Sequence, residues 1–431
     1  MTDNLIKKNR PQFIDDIYRS DSKVGRFLSV LILFGVAFGL KRGIQDNYLA
    51  EIINIEPFER GIVEFFRELP GLLLIFILAL MYRFADSKVF KVGIALMTGG
   101  LVGLFIVSMT NSTTSSEVFL IKILVIFFMV IFSTGEHVIM PVRSTIAMEL
   151  AKREKAGASL GITTSINQLG NIAGFLLVTV IFLFVKKAGF SRTDDILGYR
   201  IVFGIALGLM VAAALVAAAL KETTLKAPRQ RFYFAKKFSK YYILEVFYGS
   251  RKQIFLTFAP YVLILQYGAD PSLMSILFAV CAVFVMLCSP LIGKLIDKVG
   301  YKAVMVGDTI ILIVVCLMYG FAHRMFAPNI AFIIVCINFI LDQIISIASM
   351  ANNVYVQRIS KNRAEITATL STGISVNHIF SVLIALLGGW VWKVAGIETL
   401  FTISAFLALI NSIYAVTIKK EEEQQGGTDE E

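Results

Sequence analysis

Between Lys41 and Glu68 the chain concentrates cations and carboxylates at helical spacing. Arg42 and Asp46 are four residues apart, as are Glu64 and Glu68, and Arg67 stands one turn from Glu64. On a helix such groups become neighbours that can pair. Two chemistries suit them. One is a salt-bridge clasp between helix ends. The other is a site where Arg42 or Arg67 takes an anionic group while Glu64 or Glu68 exchanges protons. Pro70-Gly71 follows at once, and a proline inside a helix removes a backbone bond and bends it. Further along, Glu136-His137 and Asp342-Gln343 lie inside long apolar runs. Ionisable groups at membrane depth are costly and normally face an interior or water. Glu136, His137 and Asp342 are therefore expected to bind substrate or couple an ion; the alternative is a buried pair with Lys122 or Arg143. Asn167, Asn171, Asn377 and His378 could hydrogen-bond a solute or join helices. Tyr261 and Gln266 are weaker candidates of the same kind.

The elements that must hold these groups are membrane spans. Hydrophobic residues make up 57% of 431 positions, and mean hydropathy is +0.75, above the usage of soluble domains. A spanning helix needs about 20 apolar residues. Twelve such runs are expected, near residues 27–50, 61–82, 92–109, 118–142, 156–185 and 201–220, then 254–267, 273–292, 303–321, 330–350, 368–391 and 400–418. Period-2 alternation is absent, which argues against a membrane β-barrel. The fold class is all-α and polytopic, with two six-helix bundles at 27–220 and 253–418. An N-terminal segment (1–26), a linker (221–252) and an acidic tail (419–431) complete the expected organisation.

Charge placement sets the orientation. Roughly three-quarters of the 41 Lys and Arg fall in segments that share one side of such a topology, the bias of cytoplasmic loops. Both termini are thus expected in the cytoplasm, with no cleavable signal peptide. The +10 charge reflects this topology, so no nucleic acid is expected; residues 229–240 could anchor anionic lipid. Cys281, Cys288, Cys316 and Cys336 read as thiols inside spans. Asn111-Ser-Thr is a sequon on the expected outer side. No Walker-type phosphate loop or H-E-x-x-H zinc motif occurs, so neither ATP-driven transport nor a metalloenzyme is expected. The chain reads as no enzyme, with no bound cofactor or metal and an ion gradient as its energy source.

Gly293-Lys-Leu-Ile-Asp-Lys-Val-Gly-Tyr-Lys fits G-x-x-x-D-[RK]-x-G-x-[RK]. This resembles the cytoplasmic loop signature of the major facilitator superfamily of transporters, with Gly293, Asp297, Lys298, Gly300 and Lys302 at its specified places. A second copy near 82–91 keeps Asp86 and Lys91 but has Tyr82, Ser87 and Val89 at three of them. Asp86 to Asp297 and Asn167 to Asn377 give nearly one offset, so two parallel halves are expected. Arg143 and Arg358 are expected to pair with the loop aspartates Asp86 and Asp297 when the cytoplasmic side closes. Gly99/Gly103 and Gly204/Gly208 have the spacing of close helix contacts. Helix 5 of such a fold lacks the Gly-Pro pattern of the drug-antiporter branch. The resemblance implies alternating access about a midplane site. The expected function is a secondary transporter of a small polar solute, an organic anion or zwitterion, coupled to protons. The alternatives are a lipid or amphiphile flippase and a non-transporting membrane sensor or scaffold. A monomer in a bacterial cytoplasmic membrane is expected.

Overall fold

A computed structural model describes residues 12–19, 22–81, 83–110, 114–152, 154–187, 196–221 and 233–418. Tyr82, Asn111, the acidic tail and the first four residues of the basic stretch 229–240 lie outside the described residues. Among the described residues the regular structure is helical, apart from one isolated bridge between Tyr18 and Ala151. Nine helices among the described residues are long and apolar enough to cross a membrane, Glu365–Val416 the last of them. Two further helices, and a break within the last of the nine, bear on the expected order. Pro57–Leu72 and Leu74–Leu80 form one interrupted helix. Ser239–Tyr267 is a 29-residue helix that carries charges. Arg363–Val416 breaks at Gly396, whose φ of 84° and ψ of 172° are not helical. Only glycine takes such a backbone without strain.

Local chemistry explains several of these ends. Thr114 and Glu117 form a reciprocal capping box at the start of Ser115–Leu150, which satisfies two otherwise orphaned amides. The Asn362 side chain accepts from the Glu365 amide to open Arg363–Val416. Pro70 lies three residues before the break at Leu73, whose backbone leaves the helical region.

The described residues pack into two compact units that do not follow chain order. The first takes in the described residues of Met1–Ile53, Leu69–Arg229 and Pro271–Ala279; the second takes in those of Asn54–Glu68, Gln230–Asp270 and Val280–Glu431. Within the first, Ser22–Asn47 packs on Ala156–Lys187 and Ile196–Ala218, while Asp86–Met109 packs on Ser115–Leu150 and Ile196–Ala218. Within the second, Ser239–Tyr267 and Tyr301–Met325 both pack on Arg363–Val416.

Backbone approach repeats in the two units. A Cβ on Gly35 would meet the Asn167 carbonyl at 3.0 Å, and one on Gly249 would meet the Asn377 carbonyl at 2.8 Å. Small residues let membrane helices come this close. The paired asparagines noted in the sequence thus mark the same seam twice. Gly103 does press on Phe128, but Gly99 and Gly208 face open space, so Gly100 supplies the second close contact on that helix, against Phe128 and Phe132.

Two boundaries differ from expectation. The seventh helix begins at Ser239, so Glu245 and Arg251, assigned to the linker by their charge, are helical and little exposed. The signature loop is also shorter than expected. Pro271–Val299 stays helical through Gly293, Asp297 and Lys298, and the turn is made at Gly300 with φ +86°.

Candidate functional site

The interrupted second helix carries the densest charge network. Arg60, Glu64, Arg67 and Glu68 recur every three or four residues of Pro57–Leu72, so a helix stacks them along one face. Arg60 Nη1 donates to Glu64 Oε2 at 2.8 Å, and both side chains are fully buried. Arg67 also binds Glu64, its Nε donating at 3.0 Å, and pairs with Glu68. Glu68 Oε2 lies 3.2 Å from His378 Nδ1 of the eleventh span. The Arg60 guanidinium rests over the Tyr261 ring, 5.5 Å from its centroid. Gly61 lets the helix in: a Cβ there would collide with the Ala385 carbonyl.

The second unit therefore gathers Glu64, Arg67, Glu68, Tyr261 and His378 of the expected site around Arg60. Sequence reasoning passed over Arg60, although its four-residue spacing to Glu64 was a visible signal. Two guanidinium groups face two carboxylates and one imidazole, all within hydrogen-bonding reach. Glu68 and His378 are the neighbours in this chain that can exchange a proton, because a guanidinium stays charged.

Asp342 sits in a different cluster of the same unit. Arg251 Nη1 donates to Asp308 Oδ2 at 3.0 Å, and Nη2 reaches Asp342 Oδ1 at 3.4 Å. The cation beside Asp342 is thus Arg251, neither Lys122 nor Arg143. Asn377 does not stand open to a solute either: its Nδ2 donates to Glu245 Oε2 at 3.4 Å, and Asn352 Nδ2 donates to Glu245 Oε1 at 3.2 Å.

In the first unit, Arg42 pairs with Asp46 at 3.4 Å and lies over the Phe278 ring. Lys41 bonds Gln45 and rests over Phe132. His137 is buried and binds within its own helix, its Nδ1 2.8 Å from the Ser133 carbonyl. Glu136 is partly buried and lies within electrostatic reach of Arg143. Asn167 contributes its carbonyl to the Gly35 seam.

The two expected gate pairs are not formed here. Asp86 is buried in the first turn of its helix, and no ion pair links it to Arg143 among the described residues. Asp297 and Arg358 are both exposed and unjoined. Lys302 Nζ donates instead to the Ile418 carbonyl at 2.8 Å, which ties the turn to the last helix. Outside the spans, Tyr233 donates its hydroxyl to Glu365 Oε1 at 2.9 Å, and that bond raises the phenol's pKa above its usual value.

Comparison with known proteins comes from sequence and from structure. Residues 241–431 match the family model of the Major Facilitator Superfamily. No curated protein sequence matches significantly. Among solved structures, a bacterial homologue of the iron transporter ferroportin in an inward-facing state aligns with a TM-score of 0.71 at 12% identity, over 93% of this chain and 98% of that one. A D-xylose-proton symporter aligns with a TM-score of 0.69 at 15% identity, over 93% and 99%. The nucleoside transporter NupG aligns with a TM-score of 0.68 at 12% identity, over 92% and 99%. At these identities the structures speak for fold alone. With residues 241–431 matching the family's sequence model and nearly its whole length sharing this fold, the chain is a multi-pass membrane protein whose C-terminal part is similar to the Major Facilitator Superfamily.

Proposed function

We propose that the chain is a secondary active transporter that moves a small polar solute by alternating access, driven by protons. The observation that carries this reading is the buried Arg60–Glu64–Arg67–Glu68–His378 chain, set in a membrane helix just before its break at Leu73. Ionisable groups at such depth are expensive to keep and usually mark substrate or proton paths. A clasp needs no histidine and no second arginine. Protonating Glu68 would weaken its hold on Arg67 and His378, and Arg67 would then be free for an anionic group of the solute. An organic anion or zwitterion fits that chemistry. The fold is shared with proteins described as a D-xylose-proton symporter, a nucleoside transporter and peptide transporters, which supports small solutes as a class.

The test is uptake by proteoliposomes from a pool of labelled metabolites, with external pH recorded. Solute entry accompanied by a pH change that Glu68→Gln abolishes is the expected result. Robust entry with no pH change removes proton coupling, and no entry of any pooled solute removes the carrier reading.

A further inference from the structure

We propose that residues 233–238 form a releasable latch on the turn between Met350–Ile359 and Arg363–Val416, and that residues 12–19 form its fixed counterpart in the first unit. The latch goes beyond the carrier reading, and its test needs no solute.

Each unit lays the segment ahead of its first long helix across a turn between two later helices. In the first unit that turn joins Ser115–Leu150 to Ala156–Lys187. Arg19 N donates to the Leu150 carbonyl at 3.1 Å and Lys152 N to the Ile17 carbonyl at 2.8 Å, which closes the bridge between Tyr18 and Ala151. Tyr18 is only 1% exposed, and its hydroxyl donates to the Ser159 carbonyl at 3.2 Å. Lys152 Nζ donates to the Asp15 carbonyl at 2.5 Å.

In the second unit the bonds run through side chains. The Tyr233 amide donates to Thr372 Oγ1 and its hydroxyl to Glu365 Oε1, both at 2.9 Å. Lys237 Nζ pairs with the same carboxylate oxygen at 2.7 Å and donates to the Ile359 carbonyl at 3.3 Å. Ile359 closes one helix and Glu365 lies in the first turn of the next, so Lys237 touches both sides of the turn. The Tyr242 hydroxyl donates to the Tyr233 carbonyl at 2.6 Å and steadies the segment from Ser239–Tyr267.

Burial decides which of the two can open. The first strap sinks a whole aromatic side chain and is tied by neutral backbone groups, which salt scarcely affects. The second hangs from an ion pair whose lysine side chain is 35% exposed. Such a pair is weak and is screened by salt. Apolar anchorage starts at Phe238, fully buried in one cluster with Tyr241, Tyr355 and Val356. Residues 233–237 can therefore lift about Phe238 while that core stays packed. Lifting strips Tyr233 and Lys237 from Glu365. The turn then keeps its own bonds, from Lys361 N to Glu365 Oε2 and from Glu365 N to Asn362 Oδ1.

The experiment is amide hydrogen exchange, which reports local opening, read by mass spectrometry on the full chain in nanodiscs of zwitterionic lipid. Anionic lipid is left out because it would compete for the lysines. Exchange is compared at about 0.1 M and about 1 M NaCl, where the screening length falls from about 10 Å to about 3 Å. Residues 233–238 should exchange several-fold faster in the higher salt, while 12–19 keep their protection. Glu365→Gln should exchange fast at either salt. Lys236→Gln removes a neighbouring charge outside the pair and should behave as the wild type. Should Glu365→Gln not fold, Lys237→Gln breaks the same pair from its other side and takes its place. Equal exchange of 233–238 at both salts, an equal loosening of 12–19, or a salt response that survives loss of the pair overturns the latch.

Discussion

Glu64 accepts two guanidinium groups at once, from Arg60 at 2.8 Å and from Arg67 at 2.5 Å. Removing its charge takes a carboxylate from a fully buried Arg60 and from Arg67, and breaking a buried pair by deleting one partner costs about 3–5 kcal/mol. Glu64→Gln is therefore expected to lower stability by about that amount, read as the thermal midpoint in detergent; an unchanged midpoint would mean the pair contributes nothing. Glu245 gives the opposite case, because its partners are amides. In Glu245→Gln the new amide can donate to Asn377 once that side chain turns its oxygen, so a change of about 1 kcal/mol or less is expected in the same assay. These partners also show the limit of reading spacing. Pairs within one helix, Arg42 with Asp46 and Glu64 with Arg67, were legible because helical geometry dictates them. Glu68 with His378 and Arg251 with Asp342 were not, since they depend on which helices pack together.

Glycines at the seams show how helices, rather than single groups, decide what is tolerated. Gly249 sits where a side chain would meet the Asn377 carbonyl at 2.8 Å, so Gly249→Val must push Ser239–Tyr267 away from Arg363–Val416. Membrane helix contacts of this kind depend on small residues, and a clear loss of folded yield and thermal midpoint is expected. Gly293 is the contrasting position, with nothing within 4 Å of a Cβ and a helical setting. Gly293→Ala should leave stability equal or raise it by up to about 1 kcal/mol, the usual helix preference for alanine. Gly300→Ala, at φ +86°, should cost about 1–2 kcal/mol, because a Cβ strains left-handed backbone. Thermal melts of the three variants side by side settle the order; equal melts for Gly293→Ala and Gly300→Ala would return the turn to the whole signature segment. The sequence located that loop by composition, yet it could not show the helix running on to Val299. The start of the seventh helix was missed as well: Glu245, Arg251 and Lys252 make its first turns look like linker by hydropathy, and only packing reveals that the first two are little exposed.

At the scale of the whole molecule, a duplicated architecture was legible from two landmarks with nearly one offset, and the Gly35–Asn167 and Gly249–Asn377 seams give it physical content. What the duplication did not disclose is that packing ignores the chain midpoint. Asn54–Glu68 belongs by its contacts to the second unit, where Gly61 lies on the Ala385 carbonyl, Gly389 approaches the Pro57 carbonyl, and Glu68 meets His378. A polypeptide beginning after residue 232 would lack that helix. It would leave His378 without its carboxylate and the small-residue faces at Gly389 and Ala385 open to lipid. Expressed alone, residues 233–431 should therefore yield little monodisperse protein. Co-expression with residues 1–232 should restore a complex that co-purifies, because the missing segment returns on the other fragment. Rescue should fail when that fragment carries Gly61→Leu, since the larger side chain cannot pass the Ala385 carbonyl. If residues 233–431 alone are as stable as the co-expressed pair, the second helix contributes nothing to that unit, and the Arg60–His378 chain loses its claim to be a built site.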